Sequence, residues 1–240
     1  KLLAQVKKLA NVEIYEYTTM TDIIVEDGVC RGIYAKDQNG QELEIYADNT
    51  IWASGGIGGR YQHSTNFPHL TGDALDISEK HGIRLEHLDY VQIHPTTLYS
   101  TKPGRRFLIS ESVRGEGAIL LDKNKERFVN ELLPRDVVTE EIRRQMKKDG
   151  TDHVWLSMEN IDKNTILEHF PNICERCWEE GYDVTKEWIP VVPAQHYFMG
   201  GIWVDSDSRT SMEHLYAVGA TSCIDVHGAN RLGSNSLTEL

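Results

Sequence analysis

The sequence predicts a mixed α/β chain in which one sheet-bearing domain is interrupted by an inserted α+β domain. Three observations carry that prediction. Short apolar stretches separated by turn signals run over residues 12–51, and the last of them ends in Ser54-Gly55-Gly56-Ile57-Gly58-Gly59. Around His94-Pro95-Thr96 the composition shifts to charged loops and helices, and strand character returns only at residues 201–204 and 215–218.

Taken in order, Val12, Ile14 and Tyr17 followed by residues 20–25 read as strand, turning at Glu26-Asp27-Gly28 into a strand over 29–36. Asp37-Gln38-Asn39-Gly40 makes a second turn, followed by strands over 42–46 and 50–53. A helix over 75–81 is opened by Thr71-Gly72-Asp73 and closed by Gly82. Within the charged region, helices are expected over 137–148, after Pro134-Arg135-Asp136, and over 165–180. The strand at 215–218 leads to His227-Gly228-Ala229-Asn230-Arg231 and to a helix opened at Ser234 or Asn235.

Composition bounds the function. A chain of 240 residues with 40% hydrophobic and 26% charged residues buries a sizeable core, which excludes collagen-like, disordered and coiled-coil readings. Its net charge of −12 argues against nucleic acid or an anionic bilayer as partner, so any bound anion must meet a local cationic site. No apolar run approaches the roughly 20 residues that span a membrane. Four cysteines are too sparse for a disulfide scaffold and suit a reducing compartment, making cytoplasm the expectation. Cys174-x-x-Cys177 has no second pair to complete a metal site, so it is read as two thiols on a helix, and no metal is expected. The chain opens inside an amphipathic segment and stops as another helix begins, and so reads as a piece of something longer.

A buried strand that delivers glycines to a loop is how α/β folds bring backbone close to a phosphate or a cofactor ring, which singles out Gly55 and Gly56. The stretch is not GxGxxG, and a tight structural turn is the competing reading. Over residues 228–237, short polar residues precede a helix whose first amides, at Ser236 and Leu237, would attract negative charge; an ordinary helix cap is the alternative. His94, His196 and His227 read as loop residues beside Pro, Tyr or Gly. Arg114, Arg135 and Arg231 lie in surroundings unlike a solvated charge run, so they are candidates for holding an anionic small molecule bidentately. Structural ion pairing, Arg114 with Glu116 or Arg135 with Asp136, is the competing account.

Taken together, Ala53-Ser54-Gly55-Gly56, Thr71-Gly72-Asp73, Gln92-Ile93-His94-Pro95-Thr96, Ser110 through Ala118, Arg127-Phe128, Pro134 through Val138, Pro193-Ala194-Gln195-His196-Tyr197 with Gly200-Gly201, and His227 through Leu237 run in one order along nearly the whole chain. In that set the chain resembles the flavoprotein family of succinate dehydrogenase and fumarate reductase. Pro193-Ala194-x-His196-Tyr197 and Ala118 make it most similar to that family's L-aspartate oxidase branch.

The resemblance implies a Rossmann-like FAD-binding domain over residues 1–86 and 198–240, lacking the front part with its GxGxxG, interrupted by an α+β capping domain over 87–197. It implies FAD as cofactor, with Gly55, Gly56, Asp73, Ala220, Asn235, Ser236 and Leu237 beside it. Gln92, His94, Ser110, Glu111, His196 and Arg231 would bind a small dicarboxylate, L-aspartate or fumarate, and Arg135 would carry the proton. L-Aspartate would become iminoaspartate, with oxygen (giving hydrogen peroxide) or fumarate as acceptor, and the product would pass toward quinolinate synthase in NAD biosynthesis. The alternatives are a flavoprotein subunit of the succinate dehydrogenase or fumarate reductase type, or a catalytically silent homologue. The stretch on its own is expected to be inactive. Two departures stand out: Ala220 follows Gly219 where the family usually has Glu, and Asp225 stands where Gly is common.

Overall fold

A computed structural model describes residues 1–238, without the side chains of Ser234, Leu237 and Thr238. After a short exposed helix, α1 (Leu2–Val6), residues 12–17 form no strand: they lie exposed, with Tyr17 at φ 56°, and the expected first strand begins only at Thr19. Strands β1 (Thr19–Glu26), β2 (Val29–Lys36) and β3 (Glu42–Tyr46) form an antiparallel meander. Asp27 and Gly28 both take positive φ, 51° and 81°, the backbone that a two-residue hairpin needs to match strand twist.

Strand β4 (Thr50–Trp52) then leads into the glycine cluster, and Gly72, left-handed at φ 73°, opens α2 (Asp73–Lys80). The short strand β5 (Leu85–Glu86) ends this part.

Next come β6 (Val91–Leu98), α3 (Glu111–Gly115), β7 (Ile119–Leu121), α4 (Arg135–Asp149), β8 (Val154–Ser157), α5 (Lys163–His169), α6 (Pro171–Glu179) and β9 (Ile189–Phe198). The expectation of charged loops and helices here is incomplete, because an antiparallel sheet of order β6-β9-β8-β7 runs through the region. Its two long strands are buried along most of their length on both faces, so they lack the apolar-polar alternation that marks a half-exposed strand.

The helix expected over 165–180 is two. Pro171 clashes with a helical conformation at the residue before it, and Phe170 sits at φ −126°, ψ 42° between α5 and α6. Cys174 and Cys177 are free thiols on α6, and burial pushes the Cys177 thiol up to about 12.

The chain returns through β10 (Gly201–Trp203), β11 (Leu215–Ala217) and β12 (Ser222–Cys223). Strand β11 pairs in parallel with β4, Leu215 against Thr50 and Ala217 against Trp52. The glycine cluster and the turn Gly219–Thr221 therefore leave the same end of that pair, tied by a 3.0 Å hydrogen bond between Ser54 Oγ and Thr221 Oγ1. The last described turns, Gly233–Thr238, are 3-10 rather than α-helical. Among the described residues no helix is long and apolar enough to cross a membrane.

Two apolar cores result. One gathers Leu98, Ile109, Leu120, Val138, Ile142, Leu156 and Ile189 around α4 and the four-stranded sheet. The other gathers Ile23, Trp52, Ala74, Ile77, Phe198, Ile202 and Leu215. The chain passes between them twice, and the two passages touch: Glu86 pairs with Gly201, and Met199 N donates to Tyr90 O. A Cβ at Gly200 would stand 1.9 Å from His87 O, which no backbone tolerates without moving. Gly200→Ala is therefore expected to cost about 3 kcal/mol or more, in the upper range for single substitutions, measured by urea unfolding of the full-length protein; a loss no larger than that of an ordinary surface change would contradict the close packing of these passages.

Candidate active site

The site grows from the pairing of β6 with β9. His94 stands opposite Ala194, and a register shift between Gln92 and Ile93 brings Gln92 opposite Tyr197. His94 and His196 thereby face each other edge-on, ring centroids 5.6 Å apart at 71°. The reading of both as loop histidines is corrected: each lies inside a strand, and His94 is 2% exposed. His227 does lie in a loop, its ring 6.1 Å from that of Tyr197.

Each imidazole is held through Nδ1. His94 Nδ1 lies 3.2 Å from Thr96 N and 3.0 Å from Thr96 O, and His196 Nδ1 is 2.8 Å from Thr65 Oγ1. Among the described residues neither ring makes a hydrogen bond at Nε2, which leaves that nitrogen to meet a ligand. The Thr65 loop is fixed to β9 by backbone bonds, Thr65 N to Gln195 O and Gln195 N to His63 O, each 2.9 Å. Asn66 adds a side-chain bond to His196 O. Thr65 and Asn66 carried no signal in the sequence, being ordinary polar loop residues some 130 positions from the histidine they brace.

Guanidiniums come from three other segments. Arg231 lies 4.0 Å above the Tyr197 ring and donates to Ser236 Oγ at 2.7 Å and Gly233 O at 3.1 Å. Gln92 Nε2 donates to Asn230 Oδ1 and to Arg231 O, both at 2.6 Å, locking the Arg231 loop onto β6. Arg135, first residue of α4 after Pro134, gives Nε and Nη2 to Glu111 Oε2 at 2.8 and 2.5 Å. Arg114, 2% exposed, donates Nη1 to Glu131 O at 2.7 Å, and its Nη2 is 3.7 Å from Glu111 Oε1. Among the described residues its Nε and Nη2 have no hydrogen-bond partner. The ion pairs differ from the sequence alternatives: Glu111, not Glu116 or Asp136, serves both Arg114 and Arg135. Ser110 caps α3, its Oγ accepting from Ser112 N, and so sets the position of Glu111.

These groups act on one another electrostatically. Burial, then the nearby His196, Arg135 and Arg114, push His94 down from 6.5 to about 3. Burial, then Arg231 and Arg135, push His196 down to about 4. Both imidazoles are neutral at pH 7, so three guanidiniums and two neutral rings converge, with Glu111 shared by Arg114 and Arg135 and Glu131 also acting on Arg114. Such a cluster repels further positive charge and suits an anion carrying more than one carboxylate.

The glycine cluster lies beside the loop that braces His196: a Cβ at Gly58 would come 2.5 Å from Asn66. Gly55 takes φ 78°, and a Cβ there would come 2.9 Å from the Leu70 side chain, so its conformation serves the turn itself. A Cβ at Gly56 would meet Phe198 at 3.5 Å and Ala220 at 3.7 Å, and Ala220 follows β11 at the carboxyl ends of the parallel pair. Asp73 opens α2, accepting from Thr71 Oγ1 at 2.7 Å, next to the loop in which Gly59 N donates to Leu70 O. Asp225 has φ 61°, in the left-handed region that favours glycine, and its carboxylate is 3.6 Å from His87 Nε2. Asn235 N donates to Leu232 O, Ser236 is bonded to Arg231, and the side chain of Leu237 lies outside the described residues.

Residues 1–237 match the family model of the FAD binding domain. The chain belongs to the FAD-binding domain family. An L-aspartate oxidase of Clostridium perfringens is 52% identical over 99% of this chain and 54% of its own length, and that of Clostridium acetobutylicum is 49% identical over 99% and 55%. The chain thus spans about half the length of the curated relatives it matches. Among solved structures, an E. coli quinol fumarate reductase FrdA mutant superposes with a TM-score of 0.85 at 34% identity, covering 99% of this chain and 44% of that one. The Sdh1 of Mycobacterium smegmatis gives 0.81 at 31% identity, covering 92% and 39%. For FAD, the fold offers two loops leaving the carboxyl ends of parallel β4 and β11, the place where α/β folds receive such ligands.

The depressed imidazoles fix a pH dependence. An unfolded chain protonates its histidines as pH falls through 6.5, whereas folded His196 and His94 do so only near 4 and 3. The unfolded state takes up protons first, so the stability due to these groups is whole above pH 6.5, declines below it and levels off below about 3. Thermal melting is expected to show this decline between pH 6.5 and 4, lessened in His94→Gln/His196→Gln; identical pH profiles for the two proteins would contradict the burial of neutral rings.

Proposed function

We propose that the protein containing this chain is an FAD-dependent L-aspartate oxidase, forming iminoaspartate with oxygen or fumarate as acceptor. The observation that carries the reading is the convergence of His94, His196, Arg135 and Arg231 from four separate segments, taken with similarity to L-aspartate oxidases across 99% of the chain. Residues 87–197 are read as a cap over the substrate, with 1–86 and 198–240 as parts of the FAD-binding domain. The reaction fits a cytoplasmic supply of iminoaspartate to quinolinate synthase.

In this reading Arg231 and His196 hold one carboxylate of L-aspartate while His94 holds the other, with Gln92 and Ser110 beside them. Two anchors orient the substrate as well as bind it, which is where much of the rate advantage of a bound reactant lies. FAD would lie against Gly55, Gly56, Asp73, Ala220, Asn235, Ser236 and Leu237, and supplies acceptance of a hydride from the α carbon. Arg135 would carry the proton that the substrate nitrogen gives up as hydride leaves the α carbon, taking it at one guanidinium nitrogen while passing another to Glu111 Oε2. A guanidinium holds its protons tightly and needs a relay to part with one, and Glu111, in contact with both Arg135 and Arg114, is a carboxylate in reach to provide it.

Full-length protein with FAD is expected to release hydrogen peroxide from L-aspartate; brisk succinate or fumarate turnover without peroxide would instead assign it to the succinate dehydrogenase and fumarate reductase class. Arg135→Lys keeps the charge but loses the planar fork shared with Glu111. In steady-state kinetics it should lower kcat by about 100-fold or more with little change in KM. A matching rise in KM would make Arg135 a binding group.

A further inference from the structure

One wall of the site continues outward. A hollow of about 400 Å³ is lined by Thr65, Asn66 and His196 at one part and by Arg105, Arg106 and Arg176 at another. The same three arginines line an adjoining hollow of about 160 Å³ together with Lys102. Two of these four cations are already matched, Lys102 with Glu180 at 2.8 Å and Arg176 with Glu179. Arg105 and Arg106 are paired with no carboxylate among the described residues. They are nonetheless held in place: the Arg105 guanidinium lies 4.6 Å over the Phe67 ring, and Arg106 donates Nε to His63 Nδ1 at 3.2 Å and Nη1 to Lys102 O at 2.9 Å.

On a chain of net charge −12, two ordered guanidiniums without counterions, in the same hollow as His196, are a local reversal of sign. A dianion is repelled by the molecule as a whole. Within about 8 Å, the screening length at physiological ionic strength, only nearby charges count, and a concave cationic wall concentrates anions there.

We propose that Arg105 and Arg106 form a cationic approach along which a dicarboxylate reaches His196. The inference rests on the proposed function for the identity of the substrate, but not for the charge of the ligand. Arg105 and Arg106 are positioning residues in this account: they raise the rate and strength of capture without touching the reacting atoms.

The test uses the full-length flavoprotein and varies ionic strength from about 0.02 M to about 0.5 M, shrinking the screening length from roughly 20 Å to roughly 4 Å. For Arg105→Gln/Arg106→Gln, kcat/KM with L-aspartate should be about tenfold below wild type at low salt and converge on it at high salt, with kcat within about twofold. Arg105→Lys/Arg106→Lys should keep the wild-type salt dependence. Calorimetric affinity for malonate, which requires no turnover, should follow the same pattern. Equal salt slopes in wild type and the glutamine variant, for both probes, would overturn the proposal. So would lysine variants that behave like the glutamine ones, since geometry rather than charge would then be responsible. A wild type that binds malonate with the expected salt slope but does not oxidise L-aspartate would refute the proposed function and leave the approach standing.

Discussion

The structure depends on keeping positive charge together in a place where water is scarce. Arg114, Arg135 and Arg231 arrive from α3, α4 and the 228–233 loop, and two imidazoles arrive from neighbouring strands. Left alone, such groups repel. The fold manages this by leaving both imidazoles uncharged, by sharing the Glu111 carboxylate between two guanidiniums, and by resting the third on the face of Tyr197. The compensation is partial, since among the described residues a buried Arg114 keeps two nitrogens without hydrogen bonds. A buried arrangement of this kind is costly to stability and is the sort of local conflict that marks a functional site.

The scaffold holds the conflict in register. The pairing of β6 with β9 places His94 and His196, the Thr65 loop braces one ring, and Gln92 ties the Arg231 loop back to the sheet. These contacts span both apolar cores, because Gln92 and His94 lie on the sheet of one while the Arg231 segment follows β12 of the other. The two passages at Glu86–His87 and Met199–Gly200 are packed so closely that only glycine fits at residue 200. A shift between the cores would therefore separate the guanidinium of Arg231 from the His196 imidazole it acts on.

Much of the fold was legible where turn chemistry or caps mark it. Asp27-Gly28 announces its hairpin, Gly72 and Gly82 bracket α2, and Pro134 opens α4. The four-stranded sheet was not legible, because burial on both faces erases period-two alternation, and His94 and His196 consequently read as loop residues. Pro171 should have divided the helix over 165–180, since its ring constrains the residue before it. For the site, residues 94, 111, 135, 196 and 231 stood out through the order of their motifs rather than through any periodicity. Thr65 could not be found that way: its role comes from a contact between segments far apart in sequence, and a threonine in a polar loop advertises nothing.

The central claim is that the two imidazoles and the guanidiniums around them form one receptor for a four-carbon diacid. A crystal structure of the full-length flavoprotein with fumarate tests it most directly. The account predicts one carboxylate within hydrogen-bond distance of His196 and Arg231 and the other within reach of His94. A diacid bound elsewhere, with those three side chains still bonded only to protein, would contradict it.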